Sequence, residues 1–242
     1  MLKLFGVRID SLTKDELRNK LFAFRQSRGH MIATVNPEML MEARENKDLQ
    51  KALEQADLRL PDGFGVMLAA KYRGQALADR HPGIDIMSTL LAQAAKQQER
   101  VYLFGAKSGV AEKAAARLVK KHPGLQIVGA ESGFRFWGIR LSDREMRDRI
   151  KRAKPDLLFV ALGIPKQELW LAKNLPHLSS VKIAVGVGGA FDVFAGNVRR
   201  APSFLRVIGL EWFWRLLVQP WRWQRIITAT YRFSLAVIRA KE

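Results

Sequence analysis

The chain has 242 residues and no cysteine. That excludes disulfides, thiolate nucleophiles and Cys-ligated zinc, and it fits a reducing compartment. Long apolar runs are missing as well. The longest uncharged stretch, Ile86–Ala95, is ten residues, whereas a spanning helix needs about 20. The N-terminus, M-L-K-L-F-G-V-R-I-D, lacks an apolar run of secretory-leader length. Two nucleotide-binding motifs fail. Gly186-Val-Gly188-Gly189 does not complete G-x-G-x-x-G, because Phe191 stands in the last place, and nothing matches G-x-x-x-x-G-K-[ST]. A nicotinamide enzyme or a P-loop NTPase is therefore disfavoured. No two aspartates stand two positions apart, and the four histidines show no ligand spacing. Acidic residues are few: 23 Asp and Glu against 41 Lys and Arg, a net charge of +18. Such an excess implies an acidic partner, whether nucleic acid, an anionic membrane or a phosphorylated substrate.

What is present is a chain able to bury a core, with 48% hydrophobic residues. Short apolar runs alternate with amphipathic ones. The runs predict strands at Met31–Val35, Val101–Phe104, Gln126–Ala130, Leu157–Leu162 and Lys182–Val187. Helices are predicted at Pro37–Asn46, Phe64–Tyr72, Ile84–Gln97, Val110–Lys121, Ser142–Ala153 and Lys166–Asn174. This alternation indicates an α/β fold with a mostly parallel sheet covered on both faces. Ligands of such sheets bind beyond the carboxyl ends of the strands. Composition shifts near Gly196, dividing an α/β core at residues 1–195 from a basic, Trp-rich helical appendage at 196–242.

Four of the six tryptophans lie in that appendage, with nine Lys or Arg against two Glu. Cations beside interfacial aromatics suit an anionic membrane surface or a phosphate-bearing lipid. Phe204–Val218 is apolar around most of its circumference and reads either as a buried helix or as an interfacial one. Glu211 and Arg215 stand at i, i+4 and can pair. Pro220 breaks the segment. Beyond it, Arg225, Arg232 and Arg239 recur every seven residues and are expected to share a face opposite Ile226, Ile227 and Val237. A nucleic-acid-binding protein is the other class that charge and aromatics allow, but no nucleic-acid motif supports it.

Several loops carry chemistry. Gly105, Gly188 and Gly189 follow predicted strands, where they either let a substrate approach the backbone or simply make turns. Thr34-Val-Asn36-Pro37-Glu38 ends a strand on polar side chains. A helix cap accounts for Asn36 but not for Thr34. Leu60-Pro61-Asp62-Gly63 reads either as a plain turn or as a stiff mount for a general base at Asp62.

At these segments the chain resembles the bacterial WecG/TagA/CpsF glycosyltransferases. The matching stretches are T-V-N-P-E-M (34–39), L-P-D-G-F-G-V (60–66), R-H-P-G-I-D (80–85), L-F-G-A-K-S-G (103–109), A-L-G-I-P-K-Q-E (161–168), G-V-G-G-A-F-D-V-F-A-G (186–196), R-R-A-P (199–202) and G-L-E-W-F-W-R-L (209–216). The resemblance implies a Rossmann-like core with a helical C-terminal appendage. It also implies transfer of a sugar, typically N-acetylmannosamine, from a UDP donor to polyprenyl-diphosphate-linked N-acetylglucosamine in cell-surface polysaccharide assembly. Another UDP-sugar, such as UDP-glucose, is the alternative donor. Carried over by position, Asp62 is the catalytic base, and Thr34, Asn36, Gln167, Arg80 and Asp85 line the substrate pocket. Arg215, Arg222 and Arg225 hold diphosphates. Phe64 and the aromatic F-R-F-W-G at 134–138 depart from the family pattern and bear on which substrate is used.

Without a D-x-D motif, the expectation is a metal-free, inverting transfer with no cofactor, in which arginine forks neutralise the departing UDP. The protein is expected to lie peripherally on the cytoplasmic face of the plasma membrane, without a nucleic-acid partner. Self-association is left open.

Overall fold

A computed structural model describes residues 2–132 and 142–240. The 134–138 aromatic segment lies outside them. Eight strands are described. β1 (Leu2–Leu4) and β2 (Val7–Ile9) form an antiparallel hairpin. The other six are β3 (His30–Val35), β4 (Leu58–Pro61), β5 (Arg100–Gly105), β6 (Gln126–Glu131), β7 (Leu157–Ala161) and β8 (Ile183–Gly186). They make one parallel sheet in the order β4-β3-β8-β7-β5-β6. The α/β expectation holds, and five predicted strands lie within a residue or so of their expected bounds. β4 and the hairpin were absent from the prediction because three- and four-residue strands leave too short a periodic signal.

Helices cover both faces of the sheet. In the core they are α1 (Lys14–Phe24), α2 (Pro37–Glu45), α3 (Lys47–Gln55), α4 (Phe64–Tyr72), α5 (Gly83–Gln97), α6 (Val110–Lys121), α7 (Asp143–Ala153), α8 (Lys166–Asn174) and α9 (Ala190–Phe194). Side chains alternate across the pleat. On β5, Val101 and Leu103 enter the layer with Leu90 and Phe159, while Tyr102 and Phe104 enter the opposite layer with Trp170 and Val160. Both faces are thus buried, which is why these strands read as continuous apolar runs.

Two turns set the loop geometry. Gly105 closes β5 at φ +115, and a Cβ there would stand 2.6 Å from the Ala161 carbonyl carbon. Gly105→Ala therefore meets backbone that cannot yield. We expect a loss of about 3 kcal/mol or more, read as a lower urea midpoint with an unchanged slope. Gly63, at φ +90, turns the chain from β4 into α4 and presents Asp62 between them.

The tail comprises α10 (Ser203–Val207), α11 (Glu211–Val218), a 3₁₀ turn at Pro220–Arg222, α12 (Trp223–Ile227), a π turn at Thr228–Arg232 and α13 (Phe233–Arg239). One of the two readings of 204–218 is ruled out here, and one expectation is corrected. The 204–218 segment is not one buried helix: Gly209, at φ +81, divides it, and neither α10 nor α11 contains a buried residue. Nor do Arg225, Arg232 and Arg239 share a face. The π turn shifts the helical phase between them, so Arg225 lines the central cleft while Arg232 and Arg239 line a separate groove beside Phe5 and Arg44. The apolar side of α13 also turns inward. Phe233 and Val237 are core residues, and Phe233 meets Phe5 edge-on at 6.0 Å. Arg73 at the end of α4 donates to the Val237 and Ala240 carbonyls and so caps α13.

Candidate active site

A cleft of about 700 Å³ opens beyond the carboxyl ends of β3, β4, β7 and β8, with the tail forming one wall. Its location follows the rule for parallel sheets. Thr34, Asn36, Asp62, Arg80, Gln167, Gly188 and Gly189 line it from the core, and Arg215, Arg222 and Arg225 from the tail. Two predicted residues are not among its lining. Asp85 is held by Arg200 through paired contacts of 2.6 and 2.8 Å. Gly105 is spent on the close approach of β5 to β7.

Local chemistry explains each placement. Asn36 caps α2, its Oδ1 accepting the Met39 N–H at 2.9 Å, with Pro37 at the first helical position. Thr34, which capping left unexplained, donates its hydroxyl to the Gly186 carbonyl at 3.2 Å, across from β3 to β8. Gln167 opens α8 and accepts the Gly188 N–H at 3.0 Å.

Asp62 follows β4, its backbone N–H bonded to the Val35 carbonyl at 2.7 Å. Burial is the largest influence on its carboxyl and raises its pKa to about 6. Arg215 opposes that rise, Glu211 adds to it, and Arg80 and the Gly83 N–H oppose it. A carboxylate in that range is ionised at neutral pH yet basic enough to take a hydroxyl proton in a transition state.

Around it lies a frame that sequence motifs alone did not reveal. Glu211 sits between Arg80, at 3.8 Å, and Arg215, at 3.5 Å, and so joins core to tail. Only the i, i+4 spacing to Arg215 was legible. Glu38 holds Arg225 through contacts of 2.7 and 3.0 Å. The Trp214 indole donates to the Arg199 carbonyl at 3.0 Å and pins α11 to the segment before it. Arg222 has no ion-pair partner among the described residues. Burial, then Arg225 and Arg215, pushes its guanidinium below its ordinary value. With Arg215 and Arg225 engaged by Glu211 and Glu38 and no direct ion-pair partner of its own, the Arg222 guanidinium can take an anion, and its fork matches phosphate oxygens. Among the described residues no three His, Cys, Asp or Glu converge as a metal-ligand set.

A partly buried carboxylate and clustered arginines in one cleft, beyond the carboxyl ends of a parallel sheet, suit a group-transfer enzyme that acts on phosphate-bearing substrates. The chain belongs to the Glycosyl transferase WecG/TagA/CpsF family, whose profile matches residues 2–242. It is 36% identical to a Bacillus subtilis N-acetylglucosaminyldiphosphoundecaprenol N-acetyl-beta-D-mannosaminyltransferase over 97% of this chain and 86% of that protein. The Bacillus spizizenii enzyme of the same name is 41% identical over 88% and 80%. A Staphylococcus aureus enzyme of that name is 34% identical over 92% and 85%. The protein is thus a glycosyltransferase.

Proposed function

We propose that the protein transfers N-acetylmannosamine from UDP to the N-acetylglucosamine of a polyprenyl-diphosphate-linked acceptor. The observation that carries this reading is the single cleft in which Asp62 faces Arg215, Arg222 and Arg225; the names of the relatives supply the sugars. Asp62 takes the proton from the attacking acceptor hydroxyl. The oxygen then bonds to the anomeric carbon as the bond to the β-phosphate breaks, inverting that centre. UDP leaves with the electron pair, and the arginines neutralise it without a metal ion.

The acceptor is a lipid, and the tail provides a surface for it. No helix among the described residues is long and apolar enough to cross a membrane. Instead, Phe204, Val207 and Trp221 are 63%, 79% and 71% exposed. Apolar and aromatic side chains interleaved with arginine fit the headgroup layer of an anionic leaflet on the cytoplasmic side. Trp221→Ser with Val207→Ser is expected to reduce sedimentation with phosphatidylglycerol vesicles while sparing transfer to a short-chain, water-soluble acceptor. Equal vesicle binding by that double variant would refute the docking surface.

A donor panel with this soluble acceptor tests the chemistry. UDP-N-acetylmannosamine is expected to turn over at least about 10²-fold faster than UDP-glucose or UDP-N-acetylglucosamine. Preference for UDP-glucose would overturn the sugar assignment and leave the reaction class standing.

A further inference from the structure

Glu168 has no solvent exposure and lies beside the cleft without lining it. One carboxyl oxygen, Oε1, accepts the Gln167 Nε2–H at 2.7 Å; the other, Oε2, has no partner. The Gln167 carboxamide is thereby held at both ends, since its Oε1 accepts the Gly188 N–H at 3.0 Å. Gly186 makes room for the pair: a Cβ on it would stand 2.8 Å from Gln167 Nε2 and 3.1 Å from Glu168 Oε1. A free primary amide can turn over and exchange donor for acceptor. Here that turn would set the amide oxygen against Glu168 Oε1 and the NH₂ against the Gly188 N–H. Gln167 is therefore left with one N–H and one lone pair to offer the cleft.

We propose that Glu168 is a positioning residue. Through Nε2 it fixes the orientation of the Gln167 carboxamide, and with it the β8–α9 loop at Gly188, so that the cleft meets a preset donor and acceptor. The inference rests on reading Gln167 as a substrate-facing residue. Burial supports it, raising the Glu168 carboxyl to about 8 against the opposing Gln167 bond and its own backbone N–H. At neutral pH the acid is uncharged, and with its proton on the unpartnered Oε2 it keeps Oε1 as the carbonyl acceptor that Nε2 requires.

Backbone amide exchange at Gly188, followed by NMR without substrate, separates this from the donor assignment. In the wild type the Gly188 amide should exchange slowly. Glu168→Leu, which keeps the volume but removes the acceptor, should speed it. Glu168→Gln, which keeps a carbonyl opposite Nε2, should restore protection. Under the same conditions E168L should lower kcat/KM by about 10-fold, chiefly through KM, at a melting temperature no lower than wild type, with E168Q recovering most of the loss. Fast exchange at Gly188 in the wild type, or an E168L enzyme with wild-type KM and exchange, would overturn the proposal. So would a Gln167→Ala enzyme with undiminished transfer.

Discussion

Asp62→Asn should lower transfer by roughly 10²–10⁴-fold, the usual contribution of a general base, while raising the melting temperature at pH 8. The two effects share one cause. Burial lifts the Asp62 carboxyl from 3.8 to about 6, ahead of the countering Arg215. The folded protein therefore holds the proton more tightly than the unfolded chain. The stability this gives is complete below the unfolded value and is lost as pH rises through about 6. Above that the fold carries an incompletely compensated, partly buried charge, and asparagine removes it, for a gain on the order of 1–2 kcal/mol. The same titration predicts a pH profile. Wild-type kcat/KM should climb through about pH 6 and level off above it, because only the ionised carboxylate accepts the proton. Calorimetry and a pH series on both proteins check this. An Asp62→Asn enzyme that keeps its activity, or one that melts lower at pH 8, would sink the assignment.

Arg222→Ala is expected to cost roughly 10²-fold in kcat, the scale of losing one preorganised charge donor, without unfolding the tail. Arg225 is already engaged by Glu38 and Arg215 by Glu211, whereas Arg222 faces the cleft with no ion-pair partner among the described residues. It is the guanidinium freest to meet a departing diphosphate. Removing it also relieves repulsion from Arg225 and Arg215, so stability should hold or rise. Vesicle binding should persist, because Val207 and Trp221 are untouched. Steady-state kinetics beside vesicle sedimentation test this, and an unimpaired kcat would assign leaving-group neutralisation elsewhere. Deleting everything after Gly196 is a blunter test. It also strips Phe233 and Val237 from the core, so lost activity would then report on folding as much as on catalysis.

Much of the site was legible because its parts are local. The P-D-G turn, the Asn-Pro helix start and the small-residue loops are short segments whose conformation depends on neighbouring residues. Pairings between distant segments left no comparable mark. Arg200 meets Asp85 across 115 residues, and Arg225 meets Glu38 across 187. Asp85, expected in the pocket, serves that first pairing instead. The even seven-residue spacing of the tail arginines misled because periodicity assumes an unbroken α-helix, and the π turn at Thr228–Arg232 breaks it.

By itself, the sequence determined the α/β alternation, the sheet buried on both faces, the exclusion of thiol chemistry and the family. Each follows from composition, from apolar periodicity or from contiguous motifs. Only the tertiary structure decided that the basic tail is two things at once. Phe233 and Val237 anchor it in the core, while Arg215, Arg222 and Arg225 complete the cleft around Asp62. That division depends on which face of each tail segment meets α2 and α4. A turn at Gly209, a break at Pro220 and a π turn set those faces by chain geometry, and hydrophobic periodicity does not record it.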